Sequence, residues 1–204
     1  MSVPYREALA GHPGLKWAYK LDGFFRSRAG DILFITKHLS GQREIWLHGE
    51  ILLDLGRVEG EDKSLFAMNE VSLYPGAKVD LHIPGALIAE IKLVSSKHKK
   101  DALLNRPCWG LHEDFRRLHK STVRGDPHLF ILVLVDEGEP YQSDEFGDRV
   151  RTFEPEPAIP TQELDGFGPQ DGGAVTIRAW MVTRDGEERG GGLNDPSSRE
   201  GPLS

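Results

Sequence analysis

Apolar and polar positions follow a helical period over residues 40–55. Ser40 is a candidate N-cap, and a glycine follows the last turn, where a C-terminal cap is expected. The apolar positions cover most of the circumference, so the polar positions share one narrow strip: Arg43, Glu50, Asp54 and Arg57. A helix this apolar is expected to pack against a sheet, with Glu50 near the interior or at the edge of a cleft.

The pattern then changes to the strand period and predicts an antiparallel meander over residues 66–73, 79–83 and 87–94. With a three-residue loop in both turns, Asp80 lies opposite Glu90 and also opposite a serine of the first strand. One face of the meander is then wholly apolar. The other face holds the polar side chains: Glu70, Ser72, Lys78, Asp80, His82, Glu90 and Lys92. Two-residue turns would mix the two faces, so we expect three-residue loops.

A second helix is predicted over residues 109–121, and an unbroken apolar run at 129–135 is typical of a strand covered on both faces. Residues 175–182 alternate again and predict a late additional strand. The fold class is therefore α/β, a mixed sheet in which an antiparallel meander is flanked by helices in the order α-β-β-β-α-β. Residues 1–39 lack a clear period, and the segment 31–36 within them is compatible with a short strand or with the lead into the next element.

Composition divides the chain into an N-terminal extension (1–39), a domain (40–183) with an acidic insertion at about 137–173, and a tail (184–204) that we expect to be disordered. The chain has one cysteine, which excludes an intrachain disulfide framework and a multi-cysteine zinc site. Neither an apolar run long enough for a membrane span nor a secretory signal pattern is visible. We therefore expect a cytoplasmic protein.

The net charge of −7 hides a basic segment. Residues 92–124 carry nine lysines and arginines against three acidic residues. A local concentration of positive charge attracts phosphate backbones even when the whole chain is acidic. A solvated helix face explains the same residues without any ligand.

The cross-strand pair of Asp80 and Glu90 is the strongest indication of chemistry. Directly opposed residues have Cβ atoms about 5 Å apart, and two ionised carboxylates at that distance repel by roughly 3 kcal/mol at an effective dielectric near 20. A shared proton, the ammonium of Lys92 or a divalent cation would offset this repulsion. Ligation by oxygen alone suits Mg²⁺ or Mn²⁺ better than Zn²⁺. Lys92 would then hold an attacking water or neutralise a phosphate, which predicts a site for phosphodiester hydrolysis.

The arrangement of Asp80, nine further residues and then Glu90-Ile91-Lys92 resembles the PD-(D/E)xK nuclease superfamily, which has the restriction-endonuclease-like fold. The resemblance covers residues 40–136, because a helix precedes the meander and a helix and a strand follow it. It implies that Asp80, Glu90 and the backbone carbonyl of Ile91 hold Mg²⁺ or Mn²⁺ and that Lys92 is the catalytic lysine.

The first helix of this superfamily often supplies a further glutamate, for which Glu50 is preferred to Glu44. One departure is Val79, which stands where the superfamily usually has proline. The resemblance implies a metal-dependent nuclease, with DNA favoured over RNA as its substrate. Its nucleic-acid backbone contacts would come from the basic segment: Lys97, Lys99, Lys100, Arg116, Arg117 and Lys120. If both strands are cut, a two-fold homodimer is expected.

Two other interpretations stay open. The same fold can serve as a non-catalytic nucleic-acid-binding or assembly module, in which the carboxylates are remnants. Alternatively, Asp80–Lys92 and Glu90–Lys78 are ordinary ion pairs on a solvated face of a small α/β domain. In the helix after the meander, Arg116 and Lys120 would likewise pair with neighbouring acidic side chains. His82 is expected to point at the site, where it is a candidate for shaping it.

Overall fold

The computed structural model describes residues 2–39, 42–57, 71–74, 77–96, 107–124, 126–138, 152–169 and 173–186. Its elements are, in chain order, β1 (Val3–Pro4), α1 (Tyr5–Ala8), α2 (Leu15–His38), α3 (Arg43–Arg57), β2 (Val71–Tyr74), β3 (Ala77–Val79), β4 (Leu81–Ile83), β5 (Leu87–Ser95), α4 (Pro107–His119), β6 (His128–Val135), β7 (Thr161–Asp165) and β8 (Val175–Val182). The protein is α/β, with a mixed six-stranded sheet flanked by helices. None of the helices in these ranges is both long and apolar enough to span a membrane.

Most of the predicted elements are confirmed. The predicted helices at 40–55 and 109–121 correspond to α3 and α4, and the predicted strands at 129–135 and 175–182 correspond to β6 and β8. All eight residues of β6 are buried, as expected of a strand covered on both faces.

In the N-terminal segment, which lacked a clear period, residues 15–38 form one long helix, α2, so residues 31–36 are helical and not a short strand. Trp17, Leu21, Phe25 and Ile32 of this helix belong to the main hydrophobic core. Their spacing keeps them on one side of a helix, whereas a short apolar run by itself fits either helix or strand. Within the described residues, the N-terminal segment is therefore part of the same packed unit as the sheet.

The six strands of the sheet follow the order β1-β7-β8-β6-β5-β4. β5 and β6 are parallel along their whole length, and β8 is antiparallel to β6. β7 comes from the segment expected to be an acidic insertion, and it pairs with both β1 and β8. At least this part of residues 137–173 therefore belongs to the sheet. Most of the tail, from residue 187, lies outside the described residues.

The meander has the predicted register in its second turn and a different one in its first. Leu81 pairs with Ala89, which leaves the expected three-residue loop. In the first turn, Ser72 pairs with Lys78 rather than Asp80, across a two-residue loop. A register shift next to Ser72 adds one residue to this strand, and Val71 therefore pairs with Val79. Apolar residues still pair with apolar residues, although the loop is shorter than expected. β2 and β3 form a separate two-stranded sheet.

Both faces of the main sheet are covered. Leu81, Ala89 and Ile91 pack into the core on the side of α2 and α3. Val79 and Ile88 instead belong to a second core, which is built around aromatic residues of α4 and the sheet. Val79 was expected on the same face as Leu81, and this is wrong because the chain bends at Asp80, between β3 and β4. The expected polar face of β5 is therefore not a solvated one.

A buried carboxylate, Asp22 of α2, ties the N-terminal segment to the sheet. It accepts hydrogen bonds from the hydroxyl of Tyr5 (2.8 Å), from Nε of Arg26 (3.0 Å) and from the backbone N–H of Gly168 (2.7 Å). Gly168 has a φ of 79°, and a Cβ there would lie 2.5 Å from the side chain of Ile177. Only glycine lets the loop after β7 come this close to both β8 and Asp22.

Candidate active site

At the free edge of β5, the side chain of Asp80 accepts a hydrogen bond that a neighbouring strand would otherwise accept. The last described pair between β4 and β5 joins Leu81 and Ala89, so the next N–H on this edge, that of Ile91, has no partner from β4. The carboxylate of Asp80 accepts this N–H through Oδ2 at 2.8 Å. Buried N–H groups need an acceptor, and the Asp80 carboxylate is the acceptor for Ile91. The bend that ends β3 therefore holds the Asp80 side chain against the backbone of Ile91.

Glu44 of α3 continues this edge by one more step. Its Oε1 accepts the N–H of Leu93 at 3.1 Å and lies 3.2 Å from Nζ of Lys92. His48, one helical turn further along α3, places Nε2 3.3 Å from the carbonyl oxygen of Ile91 and 3.6 Å from Oδ2 of Asp80. Three polar side chains from outside β5 therefore line its free edge, and the ammonium of Lys92 lies among them.

Glu90 lies beneath α4 and is only 5% exposed. Its Oε1 accepts a hydrogen bond at 2.8 Å from Arg117 of α4, and the same guanidinium nitrogen also contacts Asp114. Burial, followed by the negative charge of Asp80, raises the pKa of Glu90 to about 7, although Arg117 and Lys92 act in the opposite direction. Glu90 is thus a carboxylate whose ionisation is opposed by its surroundings.

The pKa of Asp80 is also raised. Burial is the main cause, and the charge of Glu44 adds to it, while His48 and the N–H of Ile91 favour the ionised form. The structure therefore brings Asp80 close enough to Glu90 for its charge to raise the pKa of Glu90, as the predicted register of the second turn requires. Negative charge accumulates in a partly dehydrated place, which is typical of functional sites.

The ion pairs at the site are not those of the solvated-face interpretation. Lys92 pairs with Glu44, and Glu90 pairs with Arg117. Four of the predicted site groups, namely Asp80, Glu90, Lys92 and the Ile91 carbonyl, lie together. Glu50 does not join them: it is about 120° around the helix from Glu44.

Glu50 instead lies towards α2. The pKa of Arg28 on α2 is raised, first by its hydrogen bond to Asp31 and also by the charges of Glu50 and Asp54. The choice of Glu50 over Glu44 is therefore corrected by the geometry: Glu44 is the α3 carboxylate that reaches Lys92.

His82 is also placed differently from the prediction. Its Nε2 lies 3.5 Å from Asp126, beyond the opposite end of the β4–β5 pairing, and Asp126 in turn accepts the N–H of Gly85. Because His82 comes two residues after the bend at Asp80 and pairs with Ile88, it belongs to the far end of the hairpin.

The predicted nucleic-acid contacts are only partly described. Lys97, Lys99 and Lys100 lie outside the described residues. Arg116 pairs with Glu156 and Glu113, and Arg117 pairs inward with Glu90 and Asp114. Lys120 is exposed at the end of α4.

His48 and Asp114 were not predicted from the sequence as parts of this site, and Glu44 was ranked below Glu50. For α3, a usable signal existed: Glu44 and His48 have helical i, i+4 spacing and share the face of the buried residues Leu47, Ile51 and Leu55. For Asp114, the i, i+3 spacing to Arg117 predicts a surface pair and gives no sign that α4 lies over Glu90.

The donor set fits a hard divalent cation. Hydrogen bonds within the described part of the chain use Oδ2 of Asp80 and Oε1 of Glu90, which leaves one oxygen on each carboxylate. Two such oxygens and the carbonyl of Ile91 match the few protein ligands that Mg²⁺ usually takes. The pKa values of Asp80 and Glu90 are both raised, and a nearby cation would lower them because it favours the ionised carboxylates. The described residues contain no cluster of three or more histidine, cysteine or acidic side chains able to hold a metal.

Comparison with known proteins adds no assignment to this geometry. Neither the protein-family models nor the curated proteins nor the solved structures give a significant match to the chain.

Proposed function

We propose that the protein is a metal-dependent nuclease that hydrolyses phosphodiester bonds, with a core of the restriction-endonuclease-like type. The observation that carries this proposal is the Asp80 carboxylate, bonded to the backbone of Ile91 between Glu90 and Lys92. A carboxylate close to the buried Glu90, with a lysine two residues after Glu90, is suited to metal-assisted phosphoryl hydrolysis.

The order of elements supports the same proposal. α3 precedes the meander, β5 carries Glu90 and Lys92, and α4 leads to β6, which is parallel to β5. This is the order implied by the resemblance to the PD-(D/E)xK superfamily. β8 adds one antiparallel strand beyond β6.

Asp80, Glu90 and the Ile91 carbonyl would hold Mg²⁺ or Mn²⁺. A cation bound there supplies Lewis acidity, which polarises a phosphoryl oxygen and makes a bound water more acidic. The side chain of Lys92 is 36% exposed, and its ammonium is suited to neutralising the charge that develops on the phosphate during attack. Glu44 holds Lys92 in place, and its second role is to accept the N–H of Leu93 and so fix α3 to β5.

The proposed substrate is DNA, bound through its phosphate backbone. Lys120 and the basic residues before α4 would supply these contacts, and such binding weakens steeply with salt. Arg116 and Arg117 are less suited to this role, since both guanidinium groups already bind carboxylates of the chain. A homodimer and a cytoplasmic location stay predictions.

The test compares two variants in which an aspartate that accepts a backbone N–H becomes asparagine. In Asp80→Asn the partner is Ile91, and in the matched control Asp126→Asn it is Gly85. Labelled single-stranded DNA, double-stranded DNA and RNA are incubated with each purified protein, with Mg²⁺ and with EDTA. We expect Mg²⁺-dependent cleavage of DNA by the wild type and by Asp126→Asn, and none by Asp80→Asn.

Cleavage that persists in Asp80→Asn would contradict the proposal, as would an equal loss in both variants. One observation favours a second function, a non-catalytic nucleic-acid-binding module: Glu90 and Lys92 already have partners of opposite charge within the chain. That function predicts DNA binding that weakens with salt and is the same with and without Mg²⁺.

A further inference from the structure

One guanidinium nitrogen of Arg117 serves two buried carboxylates. Its terminal nitrogen donates to Oε1 of Glu90 at 2.8 Å and also contacts Oδ1 of Asp114, one turn earlier on α4. Both carboxylate side chains are 6% exposed, and that of Arg117 is 30% exposed. Arg117 therefore bridges the acidic site and the underside of α4.

This bridge leaves two buried polar atoms without a partner in the described part of the chain. They are Nε of Arg117 and Oδ2 of Asp114. A guanidinium can present two N–H groups side by side to the two oxygens of one carboxylate, and such paired contacts are strong. Arg117 turned fully onto Asp114 would satisfy both atoms, but in that position it would give up Glu90.

We propose that Arg117 is an internal counter-cation of Glu90, which a divalent cation displaces onto Asp114. This inference rests on the proposed function, because it takes Asp80 and Glu90 as the metal ligands. Arg117 and Asp114 are then positioning residues: they set how readily the site accepts a cation, and neither touches the substrate.

The charges around Glu90 explain the exchange. Arg117 carries one positive charge, which compensates the charge of Glu90. The negative charge of Asp80 lies close to Glu90 as well. A divalent cation compensates both carboxylates and repels the guanidinium. Asp114 is the nearest place for the displaced charge, since it already contacts Arg117 and has an unused oxygen. Without metal, Arg117 keeps Glu90 paired.

The experiment measures Mn²⁺ affinity directly, from the EPR signal of free Mn²⁺ at pH 8, where Glu90 is largely ionised. Arg117→Met removes the competing charge, and we expect Mn²⁺ to bind about tenfold more tightly. Asp114→Asn removes the alternative partner, and we expect binding about threefold weaker or more. In the double variant the Asp114→Asn effect should largely vanish, because Asp114 acts through Arg117. Arg116→Met, which removes the neighbouring arginine, is the control and should leave the affinity unchanged.

Equal affinity in the wild type and Arg117→Met overturns the inference, as does weaker binding in Arg117→Met. Asp80→Asn separates this failure from that of the proposed function. If the wild type binds Mn²⁺ and Asp80→Asn does not, the metal site stands whatever Arg117 does. If neither binds, the proposed metal site fails and this inference fails with it.

Measurement on the wild type keeps the inference testable if Arg117→Met does not fold. The Nε–H resonance of Arg117, assigned by its absence in Arg117→Lys, is followed while Mg²⁺ is added. We expect the resonance to move in proportion to Mg²⁺ occupancy, as Nε gains Asp114 as its acceptor. A resonance that stays in place while Mg²⁺ saturates the site would overturn the exchange.

Discussion

Asp22 and Glu90 are buried to nearly the same degree, with 6% and 5% exposure, yet their surroundings are opposite in kind. Asp22 receives donors from three directions: a tyrosine hydroxyl, an arginine and a backbone N–H. Among the described residues, Glu90 receives one donor, from Arg117, and has another carboxylate, Asp80, as its neighbour.

The difference separates a structural carboxylate from a candidate functional one. The bonds of Asp22 join α1, α2 and the loop after β7, so its charge is fully used in holding the fold together. Glu90 holds no comparable set of elements together, and its surroundings oppose its ionisation. A buried charge beside a like charge costs stability, and such costs are concentrated at sites of chemistry or ligand binding.

The largest effect is expected from Asp22→Ala, which should lower the free energy of unfolding by about 3–5 kcal/mol because buried donors lose their acceptor. Urea denaturation monitored by circular dichroism measures this change. Asp31→Ala is the control, since its ion pair with Arg28 on the same helix is exposed and should contribute little. A small change in the free energy of unfolding of Asp22→Ala would contradict the structural role of Asp22.

The pH dependence of stability should reveal Glu90. Its pKa is about 7 in the folded protein, above the ordinary value of 4.5 expected in the unfolded chain. Between these values the folded state binds more protons, so the free energy of unfolding falls as pH rises from about 4.5 to 7, by about 3 kcal/mol in total. Glu90→Gln should lack most of this fall. Denaturation curves at pH 5 and 8 for both proteins check it, and parallel behaviour of the two would contradict the raised pKa.

Glu90→Gln should also separate activity from stability. We expect Mg²⁺-dependent DNA cleavage to fall by more than about a hundredfold, since losses of this size already arise from groups outside the ligand shell. The folded state at pH 8 should be at least as stable as the wild type, because a repelled charge is removed. Glu163→Gln serves as the control, as its partner Arg178 lies on β8. Unchanged cleavage in Glu90→Gln would place Glu90 with Asp22, among the structural carboxylates.

The smallest expected effect on cleavage tests which glutamate of α3 belongs to the site. Glu44→Gln should reduce cleavage about tenfold, because Lys92 loses its partner while the amide still accepts the N–H of Leu93. Glu50→Gln on the same helix should leave cleavage unchanged. Initial rates at saturating Mg²⁺ compare the two variants, and the reverse order of effects would return Glu50 to the site.

The sequence predicted the parts of the site that depend on strand geometry. The period of two and the loop length of the second turn sufficed to place Asp80 beside Glu90, because register along a strand is discrete. The same reasoning failed in the first turn, where a register shift next to Ser72 changed the count. Such irregularities depend on local strain and leave no periodic trace.

Residues contributed by helices were harder to predict. Apolar side chains surround most of α3, so the pattern alone indicated no single face for the sheet, and Glu50 was preferred to Glu44. Packing decided between them, since Leu47, Ile51 and Leu55 turned Glu44 and His48 towards β5. The helix α2 was hard to predict because Asp22 interrupts its apolar residues. Asp22 is nevertheless buried, since tertiary hydrogen bonds satisfy its carboxylate.

By itself, the sequence determined the α/β class, the strand that carries Glu90 and Lys92, the pairing that brings Asp80 next to this strand, and the chemistry that these residue types allow. Those features follow from local periodicity and residue chemistry, which require no knowledge of distant contacts. Only the tertiary structure decided that Glu44 reaches Lys92 and that Arg117 of α4 lies against Glu90. Both depend on how a helix is rotated over a sheet, and that rotation is set by side-chain packing across the whole core.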